Sequence, residues 1–325
     1  MRIQASFMVV ALGVLLGSER ATATSLTLGD VLICDSAAGA VIKIDPNSGN
    51  QTQLAVGGEL VAPSGIVIDS QGTIYVVDPG AASGTGAVLK IDPVTGQQTR
   101  ISSGGLFASP IGLALGPDNQ LYVADLNAAG GAGAIVRINP ISGSQSYVSQ
   151  HGLFMDPIGV AFDQSGSLLV IDRNALGGAI IRVDVSTGSQ SLLAKGGFLA
   201  DPFGLCVAPD GSILVTDFEA TSSKIVRVSG VSGVQTLVTS GGFLFSPWGI
   251  ATNNGGDMFV ADQDALCSDC ASNGAVVRIG LADGMQHLFA SGGTFRDPVG
   301  IAIVNQLATP VTPVTWGSMK ARYHN

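Results

Sequence analysis

Glutamate is nearly missing from this chain, with three residues in 325 against 21 aspartates, and charged residues of all kinds make up only 12%. Long amphipathic helices draw on Glu, Lys, Arg and Gln for their outer faces, so this scarcity argues against a helical fold. Histidine is limited to His151, His287 and His324, too few for a zinc site built from several imidazoles. Basic residues number 15 and the formal net charge is −9. That balance is poor for holding a phosphate backbone, so no nucleic-acid partner is expected. No apolar run is long enough to cross a bilayer comfortably, so no membrane span is expected either.

Cysteine is also scarce, at four. Cys267 and Cys270 form a CxxC inside a loop, without two further ligands nearby to complete a tetrahedral zinc site. A small loop-closing disulfide between them is the favoured reading, since the chain carries an export signal and would reach an oxidising compartment. Cys34 and Cys206 sit in strand-like runs and read as buried small apolar residues. The export signal is residues 1–23. Arg2 supplies the positive start, Phe7 to Gly17 the apolar stretch, and Ala21-Thr22-Ala23 the small-residue cleavage pattern. Cleavage there removes two basic residues and one acidic residue, taking the formal charge from −9 to −10. The expected location is secreted, extracellular or periplasmic.

What the chain has in abundance is glycine, 45 residues, and apolar side chains, 46%. This suits many short strands joined by tight turns. Aspartate in place of glutamate fits the same picture, because Asp is a turn residue. Self-similarity is the strongest signal. The phrase Pro-x-Gly begins at Pro63, Pro110, Pro157, Pro202, Pro247 and Pro298, with spacings of 47, 47, 45, 45 and 51. An aspartate closes an apolar run at Asp35, Asp78, Asp125, Asp172, Asp217 and Asp262. A basic residue lies inside a β-branched run at Lys43, Lys90, Arg137, Arg182, Arg227 and Arg278. A glutamine recurs at Gln51, Gln98, Gln145, Gln190, Gln235 and Gln286.

One unit can be read through. A short apolar strand at Leu113–Leu115 is followed by a turn at Pro117-Asp118-Asn119. A second strand runs from Leu121 to Ala124, a third from Ala134 to Ile138, and a fourth from Ser144 to Ser149. Four antiparallel strands in about 45 residues make one propeller blade. The N-terminal part opens on a second strand, and the C-terminal part stops after a lone first strand near Ile301–Val304. Together they complete one blade and close the ring, which removes exposed sheet edges. The expected fold is all-β: a six-bladed β-propeller over residues 24–305, closed by the C-terminal strand, with a tail at 306–325. The tail is read as extended and then aromatic-basic, either a docking tag or a loose end.

These phrases resemble the NHL-repeat family. The matching stretches are Gly72-Thr-Ile-Tyr-Val-Val-Asp78 and Gly211-Ser-Ile-Leu-Val-Thr-Asp217. Each is followed by a run such as Lys224-Ile-Val-Arg-Val228 and preceded by Pro-x-Gly. The resemblance covers residues 26–305 and implies a six-bladed propeller. It says less about activity, because one fold hosts many functions.

The long connections, fourth strand to first and second to third, are expected on one face, and binding usually resides on such loops. The residue inside Pro-x-Gly should stand near the channel mouth: Ser64, Ile111, Ile158, Phe203, Trp248 and Val299. Two adjacent blades thus offer large aromatics, with Phe218, Glu219, Phe245 and Arg296 as further candidates. This set suits a small organic ligand, a carbohydrate, a peptide or a protein partner, and packing between blades is the competing reading. The rings of Asp and of Lys/Arg recur in every unit and are read as structural. The loop holding Asp262, Asp264 and Asp269 has carboxylates that can bind Ca²⁺ or another divalent metal, although it lacks the EF-hand pattern.

The leading expectation is a monomeric binding module. The alternative is a metal-dependent lactonase or lyase at the channel mouth, implied by a relation to gluconolactonase-like and virginiamycin-B-lyase-like propellers. His151, which replaces the first Gly of a recurrent Gly-Gly phrase, is the candidate catalytic residue for that reading. A full metal-ligand set is not evident, since Glu59 and Glu219 do not start innermost strands. No G-x-S-x-G is present for a serine hydrolase.

Overall fold

The computed structural model describes residues 25–265, 274–305 and 307. Among them, 24 strands form six four-stranded antiparallel sheets, the blades of a six-bladed propeller. Blade I is the composite one. Its innermost strand, Pro298–Ile303, pairs with Val31–Asp35, and Ala40–Ile44 and Gln51–Val56 follow outward. Blades II to VI start at Gly65–Ile68, Pro110–Leu115, Pro157–Phe162, Pro202–Val207 and Pro247–Thr252. The ring therefore closes by the C-terminal strand, as the split repeat implies.

Each blade is covered on both faces by its neighbours, so the second strands read as unbroken apolar runs rather than alternating ones. Val31–Asp35 and Leu168–Asp172 are buried at all five positions. Leu169, Ile171 and Ile180 of blade IV pack against Ile213, Val215 and Val226 of blade V in one cluster. Cys34 is buried and Cys206 half-buried, both as free thiols, and burial pushes the Cys206 thiol up to about 12.

The innermost strands start earlier than apolar character suggests. In blade III the strand begins at Pro110 rather than Leu113, and Pro110 lies opposite Asp125 with a bulge before Gly112. Proline has no N–H to give a ladder and is tolerated at a strand's first residue. The bulge takes the residue between Pro and Gly out of the pairing, and that residue lines the channel.

Glycine then decides how closely the blades converge. A Cβ on Gly65, Gly112, Gly159, Gly204, Gly249 or Gly300 would lie 2.2–2.9 Å from the carbonyl oxygen of the Pro-x-Gly middle residue in the next blade. None of these six has a positive φ, so the requirement is room. At the outer edge the recurrent glutamines join neighbouring blades. Gln98 Oε1 accepts the Glu59 N–H at 2.7 Å while its Nε2 donates to the Gly57 carbonyl at 3.0 Å. Gln51 spans the closing seam in the same way, accepting from Thr294 N at 2.8 Å and donating to Gly292 O at 3.2 Å.

Gly204→Ala, whose Cβ would meet Trp248 O at 2.2 Å, is expected to cost about 3 kcal/mol by overpacking. Gly166→Ala, at φ +83° with nothing within 4 Å, is expected to cost about 1 kcal/mol through backbone strain alone. Urea unfolding midpoints compare the two, and equal losses would contradict a spatial requirement at the centre.

Candidate functional site at the long-loop face

The six strand-ending aspartates are fully buried and build this face. Asp78 Oδ1 accepts the Gly80 and Ala81 N–H groups of the second-to-third loop at 2.9 and 3.0 Å. Its Oδ2 takes Val61 N, from the loop entering the blade, at 2.7 Å. Asp125 and Asp172 repeat the arrangement. One carboxylate thus satisfies several loop N–H groups and holds both long connections side by side. Two of the recurrent basic residues reach toward the opposite face. Arg182 Nη2 donates to Gly230 O at 2.6 Å and Arg227 Nη2 to Leu281 O at 2.9 Å, each in the next blade's short turn.

Eighteen residues line the central channel, all of them glycine, aliphatic or aromatic except Ser64. No imidazole, carboxylate or amide side chain is among them. The cavity measures about 110 Å³, space for a few waters at roughly 30 Å³ each and well below the roughly 300 Å³ of a small-molecule pocket. The channel itself is therefore too small to enclose a small organic molecule.

At the mouth three of the proposed aromatics meet. Phe203 and Trp248 lie with ring centroids 4.4 Å apart at 50°, and Phe218 meets Phe203 edge-on at 6.5 Å and 84°. All three remain half-buried. Thr216 holds the backbone beneath them, its hydroxyl donating to Trp248 O at 2.6 Å and accepting from Gly204 N at 2.8 Å. Arg173 joins the group, its guanidinium 4.4 Å from the Phe203 centroid and its Nε donating to Asp201 Oδ1 at 2.8 Å.

Blade V departs from its neighbours at this point. The residue paired with the strand-ending aspartate is Ala40, Ala87, Ala134, Ala179 and Ala275 elsewhere, but Lys224 here. The preceding residue is glycine in the other five blades and Ser223 here. Lys224 is buried and ion-paired with Glu219, with Asp217 Oδ1 3.6 Å from its ammonium. Asp217 Oδ1 accepts no hydrogen bond, so the loop from Phe218 to Ser222 is not tied down in the manner of the other blades. Burial pushes the Asp217 carboxyl up to about 6, against the pull of the Asp201 N–H and of Lys224. Repeat-by-repeat alignment carries this signal, as a lysine in a column of alanines.

The remaining sequence candidates lie elsewhere. Phe245 is 43% exposed and stands outside the ring contacts joining the other three. Its carbonyl accepts from Ser223 Oγ at 2.7 Å. Arg296 donates its backbone N–H to Asp35 Oδ2 at 2.7 Å and turns its guanidinium onto Phe295 O. Glu219 is exposed and engaged with Lys224. His151 is exposed at the end of an outer strand, with φ 59° where the other blades have left-handed glycine. It is not a channel residue. Asp262 accepts Phe245 N, Ser246 N and Asp264 N, so its oxygens are occupied by loop N–H groups. Asp269, Cys267 and Cys270 lie outside the described residues, and among the described residues no group of three or more His, Cys, Asp or Glu is placed to hold a metal.

A scan against protein-family models finds no match, and neither does a search of curated proteins. Solved structures do match. A crystal structure of a nidogen/laminin complex aligns at 16% identity and TM-score 0.68, over 85% of this chain and 99% of that one. TolB from Acinetobacter baumannii aligns at 14% identity and TM-score 0.63, over 84% and 66%. A catalytically inactive variant of virginiamycin B lyase from Staphylococcus aureus, in a crystal structure with quinupristin, aligns at 16% and 0.59, over 87% and 95%. At these identities the likeness is one of fold, and the fold is a propeller.

Because the Asp217 carboxyl is raised when folded, the native state binds a proton that the unfolded chain has released between about pH 4 and 6. Its contribution to stability falls as pH rises through that window. Asp217→Asn removes this slope, so wild type should gain stability relative to the variant as pH falls from about 6 to 4 in urea titrations. An unchanged difference across the window would contradict it.

Proposed function

We propose that this chain is a secreted NHL-type propeller that binds a ligand or partner on its long-loop face, over Phe203, Phe218 and Trp248. The observation that carries the reading is the aromatic group at the mouth, half-exposed, backed by a guanidinium and present in only one sector of an otherwise regular ring. A packing role alone would not require aromatics there, since Ile111, Ile158 and Val299 fill the equivalent positions of other blades. Rings that remain partly exposed on a rigid scaffold suit recognition.

A metal-dependent lactonase or lyase needs carboxylate, amide or imidazole groups converging on the channel. The lining offers a serine hydroxyl and backbone groups instead, which favours binding over turnover. Nidogen, in a complex with laminin, and virginiamycin B lyase, with quinupristin, stand on either side of that choice. Among the described residues no helix is long and apolar enough to cross a membrane.

Thermal-shift screening of the purified propeller against aromatic compounds, saccharides and peptides should yield ligands. Trp248→Ala should abolish their binding while moving the melting midpoint by only a few degrees. Retained affinity, or a collapse of the fold, would place Trp248 in the packing instead. Export would leave Thr24 as the mature N-terminus, which N-terminal sequencing of the released protein reads directly.

A further inference from the structure

Two sets of equivalent positions, one per blade, can be compared at the long-loop face. The residue after each strand-ending aspartate is Ser36, Pro79, Leu126, Arg173, Phe218 and Gln263 in turn, and the Pro-x-Gly middle residues form the other set. Of these twelve positions only Arg173 carries a charge. Its guanidinium is already fixed in the free protein. It lies over Phe203 at 4.4 Å, and Asp201 takes its Nε at 2.8 Å and its Nη2 at 3.4 Å.

A guanidinium is a planar fork of five N–H donors, so one carboxylate on the Nε side leaves the Nη1/Nη2 end free. Nη1 has no hydrogen-bond partner among the described residues, and the side chain is 37% exposed. The rotamer freedom that an arginine normally loses on binding is thus largely lost beforehand. The other nearby cation, Lys224, is committed to Glu219 and Asp217. Arg173 and Trp248 both lie against Phe203, which leaves no aromatic cage for a ligand cation.

We infer that the mouth recognises a small molecule in which a carboxylate is joined to an aromatic or apolar body. The carboxylate sits on the free edge of Arg173 and the body rests against Phe218 and Trp248. This rests on the reading of the mouth as a ligand site.

Trp248 is one of two tryptophans, the other being Trp316, so Trp316→Phe makes its emission a single-site probe. Titration with 4-phenylbutyrate and with its neutral amide should show the acid binding about ten-fold tighter. Arg173→Gln should weaken the acid far more than the amide and bring the ten-fold preference for the acid close to one. Asp201→Asn removes the competing carboxylate and should tighten the acid several-fold, a direction that loss of folding cannot produce. Equal affinity of acid and amide, indifferent to Arg173→Gln, overturns the carboxylate inference and leaves the mouth as a ligand site. No saturable change with either probe overturns the mouth as a small-molecule site, and the inference with it.

Discussion

Six backbones converge on the channel at a separation that admits no side chain between them. The third residue of each Pro-x-Gly faces the carbonyl of the next blade at a distance a methyl group would violate. The small size of the channel follows from that contact. Proline and the bulge prepare it. One ends the need for a ladder N–H, and the other turns the intervening residue out of the pairing. Interiors are close-packed and transmit strain, so a methyl here is felt by two blades together.

Further out, polar side chains do what strand pairing cannot. The buried aspartates gather loop N–H groups that would otherwise be unsatisfied. The glutamines carry hydrogen bonding from one sheet to the next, across the seam as well as within the chain. Such bonds contribute modestly when made and cost more when broken, because they leave buried donors unpaired. The same devices in every blade make a uniform scaffold, against which a local departure stands out.

That departure is concentrated where blades IV, V and VI meet. Lys224 for alanine and Ser223 for glycine change how the loop after Asp217 is held, and the loop brings Phe218 to Phe203. Arg173 replaces the neutral residue of other blades and stacks on the same ring. Phe203 and Trp248 were legible from Pro-x-Gly register, because a repeat turns position in sequence into position around the ring. Phe245 and Arg296 share the face by the same logic, yet they do not join the group. Their side-chain directions depend on loop geometry, which register does not carry. Lys224 was visible only as an odd residue in its column. Its consequence needed the ion pairs with Glu219 and with an Asp217 oxygen that takes no loop N–H.

Blade count, strand content, the split blade that closes the ring and the structural standing of the Asp series could all be read along the chain. Each is periodic, and a periodic feature repeats a local requirement that needs no knowledge of distant contacts. The size of the channel, the pairing of Arg173 with both Phe203 and Asp201, and the burial of Lys224 emerged only once the blades were packed together. The channel and the Arg173 contacts join residues tens of positions apart across blade boundaries, and the Lys224 pairs depend on how the loop after Asp217 folds back, none of which spacing along the chain carries.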